Sequence, residues 1–287
     1  MIYYYGAHMS IKNSIISSIR DINKLGGNFL QIFISNPRGK GSPKKSIIDD
    51  SEKINSELKN LDIKIVIHLP YIINIGQQFN KNNWWIKMII EQLYVSEQIN
   101  SLGCVIHTGK YTKNTIDDGL NNMYKSLIHV IEYLKKNNMR TKIILETSTG
   151  QGTELLSNLD EFADFYNKFT DDEKNYLKIC IDTCHIFVAG YDIRTKNNVK
   201  IFFKYFEKII GIKNVILVHL NDSKKKCGSC VDRHENIGNG FIGNAGLKEF
   251  IRLSFFYHLP IILETPDSNN FINEIQLIND IKNKFIH

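Results

Sequence analysis

No run of 18 or more apolar residues occurs in the 287-residue chain, so no segment reads as a membrane-spanning helix. The start, Met1-Ile2-Tyr3-Tyr4-Tyr5-Gly6, lacks the charged lead and apolar stretch of an export signal. Cysteine is scarce and odd in number: Cys104, Cys180, Cys184, Cys227 and Cys230. Such a set does not build the paired framework of a disulfide-stapled secreted domain, and a reducing, intracellular compartment is expected. No Gly-x-Gly-x-x-Gly turn follows an early apolar run, which argues against a dinucleotide-binding open sheet. Nor is there a linker, a low-complexity tract or a long charge block, so residues 1–287 read as one domain.

What is present is an alternation. Short β-branched, apolar runs stand at 2–8, 29–34, 64–69, 104–108, 142–147, 177–182, 215–220 and 260–265. Segments of helical period lie between them, near 13–25, 46–60, 84–101, 116–137, 158–169, 197–210, 246–256 and 271–285. Ile65-Val66-Ile67, Ile143-Ile144-Leu145 and Val215-Ile216-Leu217-Val218 are continuous apolar strings, the mark of strands buried on both faces and hence parallel. Repeated strand–helix units in a chain of this length predict an α/β fold, a closed (β/α)8 TIM barrel, with the active site at the C-terminal ends of the strands.

The chemistry-bearing residues sit where the runs stop. His68, His107 and His219 end three of them, Glu146 and Glu264 each close an Ile-Ile-Leu-Glu string, and Asp182 closes Ile179-Cys180-Ile181-Asp182. His185 follows Asp182 by three residues, and Asp232 and His234 flank Arg233. A lone histidine or carboxylate at a strand end is ordinarily a hydrogen-bonded or ion-paired core residue. Together, these imidazoles and carboxylates on one barrel face would carry a heavy desolvation cost that metal ions relieve. The ligand set, without an obligate thiolate, suits zinc or a similar first-row metal and is large enough for three ions. Three dications against four carboxylates leave about +2, a charge suited to a phosphodiester transition state. The formal net charge of +6 agrees with a polyanionic partner but does not define one.

Several strings resemble the endonuclease IV family over almost the whole chain. They are Gly6-Ala7-His8-Met9-Ser10, Glu146-Thr147 with Gly150-Gln151-Gly152, and Ile181-Asp182-Thr183-Cys184-His185 running to Ala189-Gly190-Tyr191-Asp192. His219-Leu220-Asn221-Asp222-Ser223 and Val231-Asp232-Arg233-His234-Glu235 complete the set. The resemblance implies a xylose-isomerase-like barrel that hydrolyses DNA on the 5′ side of an abasic site with a zinc-bound hydroxide. Products would be a 3′-hydroxyl and a 5′-deoxyribose phosphate. It implies zinc at three positions, manganese being an alternative at one. The first would be held by His68, His107 and Glu146, the second by Glu146, Asp182, His219 and Glu264, the third by His185, Asp232 and His234. Glu146 and Glu264 would be the catalytic carboxylates, and His8 a residue behind the ligands. The resemblance further implies a monomer on double-stranded DNA, with Arg38, Tyr71 and Ile72 filling the gap left by a flipped nucleotide.

Basic residues follow three of the strands: Arg38, Lys40, Lys44 and Lys45; Arg194 and Lys196; Lys224, Lys225 and Lys226. They are candidates for phosphate contacts. Two departures stand out. Thr108-Gly109-Lys110 replaces the family's usual Pro-Gly-Ser, and Cys227-Gly228-Ser229-Cys230 is not a family feature; no second cysteine pair completes a zinc site with it. Competing readings are a sugar isomerase or epimerase on the same barrel, and a non-catalytic damage-binding protein.

Overall fold

The structure, a computed structural model, describes residues 2–11 and 13–286. Eight parallel strands close a barrel: β1 (Tyr5–His8), β2 (Phe29–Ile32), β3 (Lys64–His68), β4 (Cys104–Ile106), β5 (Ile143–Glu146), β6 (Leu177–Asp182), β7 (Val215–Leu220) and β10 (Ile261–Leu263). Beyond β7, the two-residue strands β8 (Asp222–Ser223) and β9 (His234–Glu235) pair antiparallel. The helices are α1 (Ile15–Lys24), α2 (Lys45–Asp49), α3 (Ser51–Asn60), α4 (Trp84–Gln98) and α5 (Ile116–Lys136). They continue with α6 (Leu159–Tyr166), α7 (Thr183–Val188), α8 (Lys196–Ile209), α9 (Gly243–Phe256) and α10 (Phe271–Ile286). Among the described residues, no helix is long and apolar enough to cross a membrane.

Side chains along a strand alternate between the barrel lumen and the helix layer. The lumen is plugged by Phe29, Val66, Val105, Ile144, Cys180, Leu217 and Ile262, one from each strand from β2 onward, all fully buried. The outward-facing set, including Ile65, Ile67, Leu145, Ile181 and Val218, packs under the helices. β1 carries Gly6 at the plug level, because a Cβ there would meet the Phe29 carbonyl oxygen of β2 at 1.8 Å.

The β8–β9 pair was not expected and several strands are shorter than the runs read from the sequence; three further differences have a visible cause. The expected helix at 46–60 breaks at Asp50, whose φ of −95° and ψ of 7° leave the helical region and divide it into α2 and α3. An unforeseen helix, α7, follows β6 directly; Asp182 caps it by accepting the His185 N–H at 2.9 Å. The last run stops at Leu263 because the Glu264 N–H donates to the Asn221 side-chain oxygen (3.0 Å) and not to the barrel ladder.

Candidate metal centre

Two residues beyond each plug residue, the alternation brings the same strands into the lumen again. This second level is His8, Gln31, His68, His107, Glu146, Asp182, His219 and Glu264. A polar level directly above an apolar one, at the carboxyl mouth of the barrel, puts the predicted strand-end residues in one place. His185 joins them from α7, Asp232 from the loop that leads into β9, and His234 from the first position of β9.

Five groups of potential ligand atoms come together among the described residues, and three of them comprise the residues named from the sequence. His68, His107 and Glu146 have potential ligand atoms within 4.8 Å of one another; so do Glu146, Asp182, His219 and Glu264, and so do His185, Asp232 and His234. Glu146 joins the first two, with Oε2 at 3.5 Å from Nε2 of both His68 and His107 and Oε1 at 2.8 Å from His219 Nδ1. In the third group Asp232 lies 3.4 Å from His185 Nε2 and 3.2 Å from His234 Nε2. Glu146 Oε2, His185 Nε2 and His234 Nε2 are buried without a hydrogen-bond partner. Unpartnered donor atoms aimed at shared points are what a bound cation would satisfy, so these residues fit metal ions. Cys180 and Cys184 also come within reach, but burial pushes both thiols up to about 12, leaving neutral sulfurs beside the carboxylate–imidazole set.

Hydrogen bonds behind the ligands decide which ring nitrogen faces inward. Nδ1–H of His68 donates to the Leu69 carbonyl (2.7 Å), that of His185 to Thr147 (2.8 Å) and that of His234 to Glu264 (3.1 Å). A carbonyl can only accept, so these three rings present Nε2 to the centre. Asp182 receives the Asn221 amide at 2.7 Å, and the Asp232 N–H is held by Gln151 at 2.9 Å. His8 Nδ1 lies 3.2 Å from Glu264 Oε1. Asn221 and Gln151 stand in strings that carry the family resemblance but had no role assigned there, and Gln31 went unnoticed. The only signal for Gln31 was a polar side chain inside the apolar string Phe29-Leu30-Gln31-Ile32.

Burial opposes every charge in this cluster; pairing overrides it at Glu146, His185, His219, Asp232, His234 and Glu264, while burial prevails at Asp182, whose carboxyl it raises. Against burial, His219, His107 and His185 hold the Glu146 carboxyl well below its usual range. Asp182 and Asp232 hold the His185 imidazolium well above its own, and Asp182 and Asp232 likewise raise His234 to about 9. His107, where burial prevails, drops to about 4. The carboxylates thus favour protonated imidazoles at His185, His219 and His234.

The centre floors a cavity of about 720 Å³, whose walls include Arg38, Tyr71, Ile72, Lys110, Lys224 and Arg233. Tyr71 is 54% exposed, and its ring packs on Phe33, His68 and His107. Its N–H donates to the Pro37 carbonyl (2.9 Å), which ties the Tyr71 loop to the one carrying Arg38. Lys110 reaches Glu154 at 3.3 Å. Of the other basic residues, Lys40 stacks on Trp84 and Arg194 pairs with Asp192, so both have local partners. Lys44 caps α2, while Lys45 and Lys196 begin α2 and α8.

This barrel and its imidazole–carboxylate mouth define a class: the sequence model of a family described as "Xylose isomerase-like TIM barrel" matches residues 19–282. The chain is 31% identical over 291 residues to the "Probable endonuclease 4" of Aquifex aeolicus, covering 96% of this chain and 99% of that protein. It is 34% identical over 286 residues to that of Thermosipho melanesiensis, covering 98% and 96%. The chain belongs to the endonuclease IV family. In three dimensions it resembles endonuclease IV from Thermus thermophilus, with a TM-score of 0.82 at 24% identity over 98% of this chain and 99% of that one. A D-tagatose 3-epimerase-like protein shares the fold at a TM-score of 0.72 and 16% identity, covering 98% of each chain.

Proposed function

We propose that this chain, acting as a single barrel domain inside the cell, is a metal-dependent endonuclease that cuts double-stranded DNA on the 5′ side of an abasic site. It leaves a 3′-hydroxyl and a 5′-deoxyribose phosphate. The observation that carries the reading is the set of three adjoining ligand groups, the first two sharing Glu146, above the barrel plug. His68, His107 and Glu146 would hold one ion, Glu146, Asp182, His219 and Glu264 a second, and His185, Asp232 and His234 a third. Zinc is the favoured metal, with manganese an alternative at one position. Bound there, such ions supply an activated water and neutralise charge on a phosphoryl group.

The remaining work falls to the chain. Glu146 presents Oε2 to the first histidine pair and Oε1 to His219, which fixes the spacing between the groups. Glu264 Oε2 lies 3.2 Å from His219 Nδ1, and in this reading Glu264 would orient the attacking water or take its proton while serving as a ligand. Tyr71 and Ile72, with Arg38 on the adjoining loop, would occupy the gap in the base stack. An abasic site has already lost its stacking, so this wedge selects it at low cost. Lys224 and Arg233, which also line the cavity, would meet flanking phosphates.

The test is incision of an end-labelled duplex bearing one tetrahydrofuran abasic analogue, with both ends of the cut mapped. A single cut 5′ of the lesion leaving a 3′-hydroxyl is expected. A cut on the 3′ side, a β-elimination product or an uncut duplex with metal-loaded protein overturns the proposal; ketose–aldose turnover would favour the isomerase reading instead.

A further inference from the structure

Of the eight residues in the polar level, Gln31 alone is not of a metal-ligand type, and it is fully buried. Its amide orientation is forced. Nε2 lies 2.5 Å from Glu264 Oε1, a carboxylate oxygen that can only accept, so the NH2 end must face it. Oε1 then faces His219 Nε2 at 2.8 Å and must receive an N–H from it. With that proton committed, His219 offers only Nδ1 to the centre, where Glu146 Oε1 stands at 2.8 Å and Glu264 Oε2 at 3.2 Å. His68, His185 and His234 have the opposite arrangement, with Nδ1 tied to backbone carbonyls.

Resting on the metal-centre reading above, we propose that Gln31 is a positioning residue for the middle group. It selects Nδ1 of His219 as the ligating atom and reserves Glu264 Oε1, leaving Glu264 only Oε2 for an ion. His8 Nδ1, 3.0 Å from Gln31 Nε2 and 3.2 Å from Glu264 Oε1, closes the same side of that carboxylate. One amide thus sets two ligands that lie on different strands, β7 and the end of β10. Partners behind metal ligands govern affinity in this way because they hold ring orientation and tautomer.

Two measurements test this. In zinc-loaded wild-type protein carrying 15N-labelled histidine, ring-nitrogen correlations should place the His219 proton on Nε2. For His68, His185 and His234 the proton should be on Nδ1. A His219 proton on Nδ1 overturns the proposal. Q31M keeps the length of the side chain and removes both polar ends. It should weaken one bound zinc by about 10–100-fold, keep the others, and alter the visible spectrum of the cobalt-substituted protein. A variant with wild-type zinc affinities and an unchanged cobalt spectrum shows that Gln31 merely fills space. Should Q31M not fold, Q31E serves. It keeps the acceptor for His219 but sets a second carboxylate against Glu264, and it must weaken the same zinc; wild-type affinity refutes the proposal. Wild-type protein that binds no zinc overturns the metal-centre reading and this proposal together, and is recognised before any variant is made.

Discussion

If the three ligand groups hold metal as proposed, removing it should reverse the direction in which pH changes the stability of this protein. In the metal-free fold His234 is raised to about 9, burial lowering it but Asp182 and Asp232 more than compensating. In the unfolded chain its value is the ordinary one of about 6.5. A group raised on folding contributes stability that is fully present below about pH 6.5 and is lost as pH rises through about 9. The shift corresponds to about 3 kcal/mol from His234 alone, whose side chain is 19% exposed and therefore little screened. His185 and His219, also raised, act in the same direction. His107 is the counter-case. Burial lowers it to about 4, so it favours the fold increasingly as pH climbs from about 4 to 6.5 and adds nothing above that. Metal-free stability should thus peak near pH 6.5 and fall towards pH 9. For a chain of this size about 3 kcal/mol is roughly 5 °C in melting temperature.

With zinc bound, the ions displace those protons, and protons compete with metal. The slope between pH 6.5 and 9 should then be flat or rising. The assay is thermal unfolding followed by circular dichroism on protein stripped with chelator, freed of the chelator, and measured with and without added zinc. Metal-free protein whose melting temperature stays level or climbs over that interval would refute the proton-for-metal argument, whatever the enzyme's activity.

Three further perturbations separate the parts of the site. Glu146→Gln removes the carboxylate common to two groups and should lower incision by about 10³-fold or more while releasing zinc, both measured on the same preparation. Tyr71→Ala should leave zinc content unchanged but weaken binding to an abasic duplex by about 1–3 kcal/mol in a fluorescence titration, the worth of one aromatic stacking contact; unchanged affinity would remove Tyr71 from the wedge. Asp222→Ala should destabilise the fold by about 3–5 kcal/mol in urea, because this buried carboxylate accepts backbone N–H groups from Gly238, Gly240 and Ile242 and their loss leaves several donors unmet.

The candidate ligands were legible because their chemistry contrasts with their surroundings. A histidine or glutamate that ends Ile-Val-Ile or Ile-Ile-Leu is conspicuous, and alternation along the strand then fixes the face it joins. Gln31 carries no such signal: its meaning depends on His219, 188 residues away, and only the closed barrel brings the two together. The α7 helix escaped for a different reason. All six of its residues are buried, so it has no polar stripe to give a helical period. The Cys227–Cys230 loop also acquires a role only in three dimensions: the N–H groups of Gly228 and Cys230 donate to the carbonyls of Phe187 and Val188 and so finish the end of α7.

These differences bear on how rigid each metal group can be. His68, Glu146, Asp182 and His219 lie within the barrel ladder, with His107 and Glu264 one step beyond it. Moving one alone would need a register slip, which would bring Ile67, Leu145, Ile181 or Val218 into the lumen instead. The third group has no such guarantee. Asp232 and His234 hang on the short β8–β9 pairing, the Gln151 hydrogen bond and the loop organised by Asp222, while His185 rides on a two-turn helix finished by the Cys227–Cys230 loop. The group that closes the centre is therefore the one whose placement depends on loops, and local opening there would uncover the third position while the barrel-held pair stayed intact.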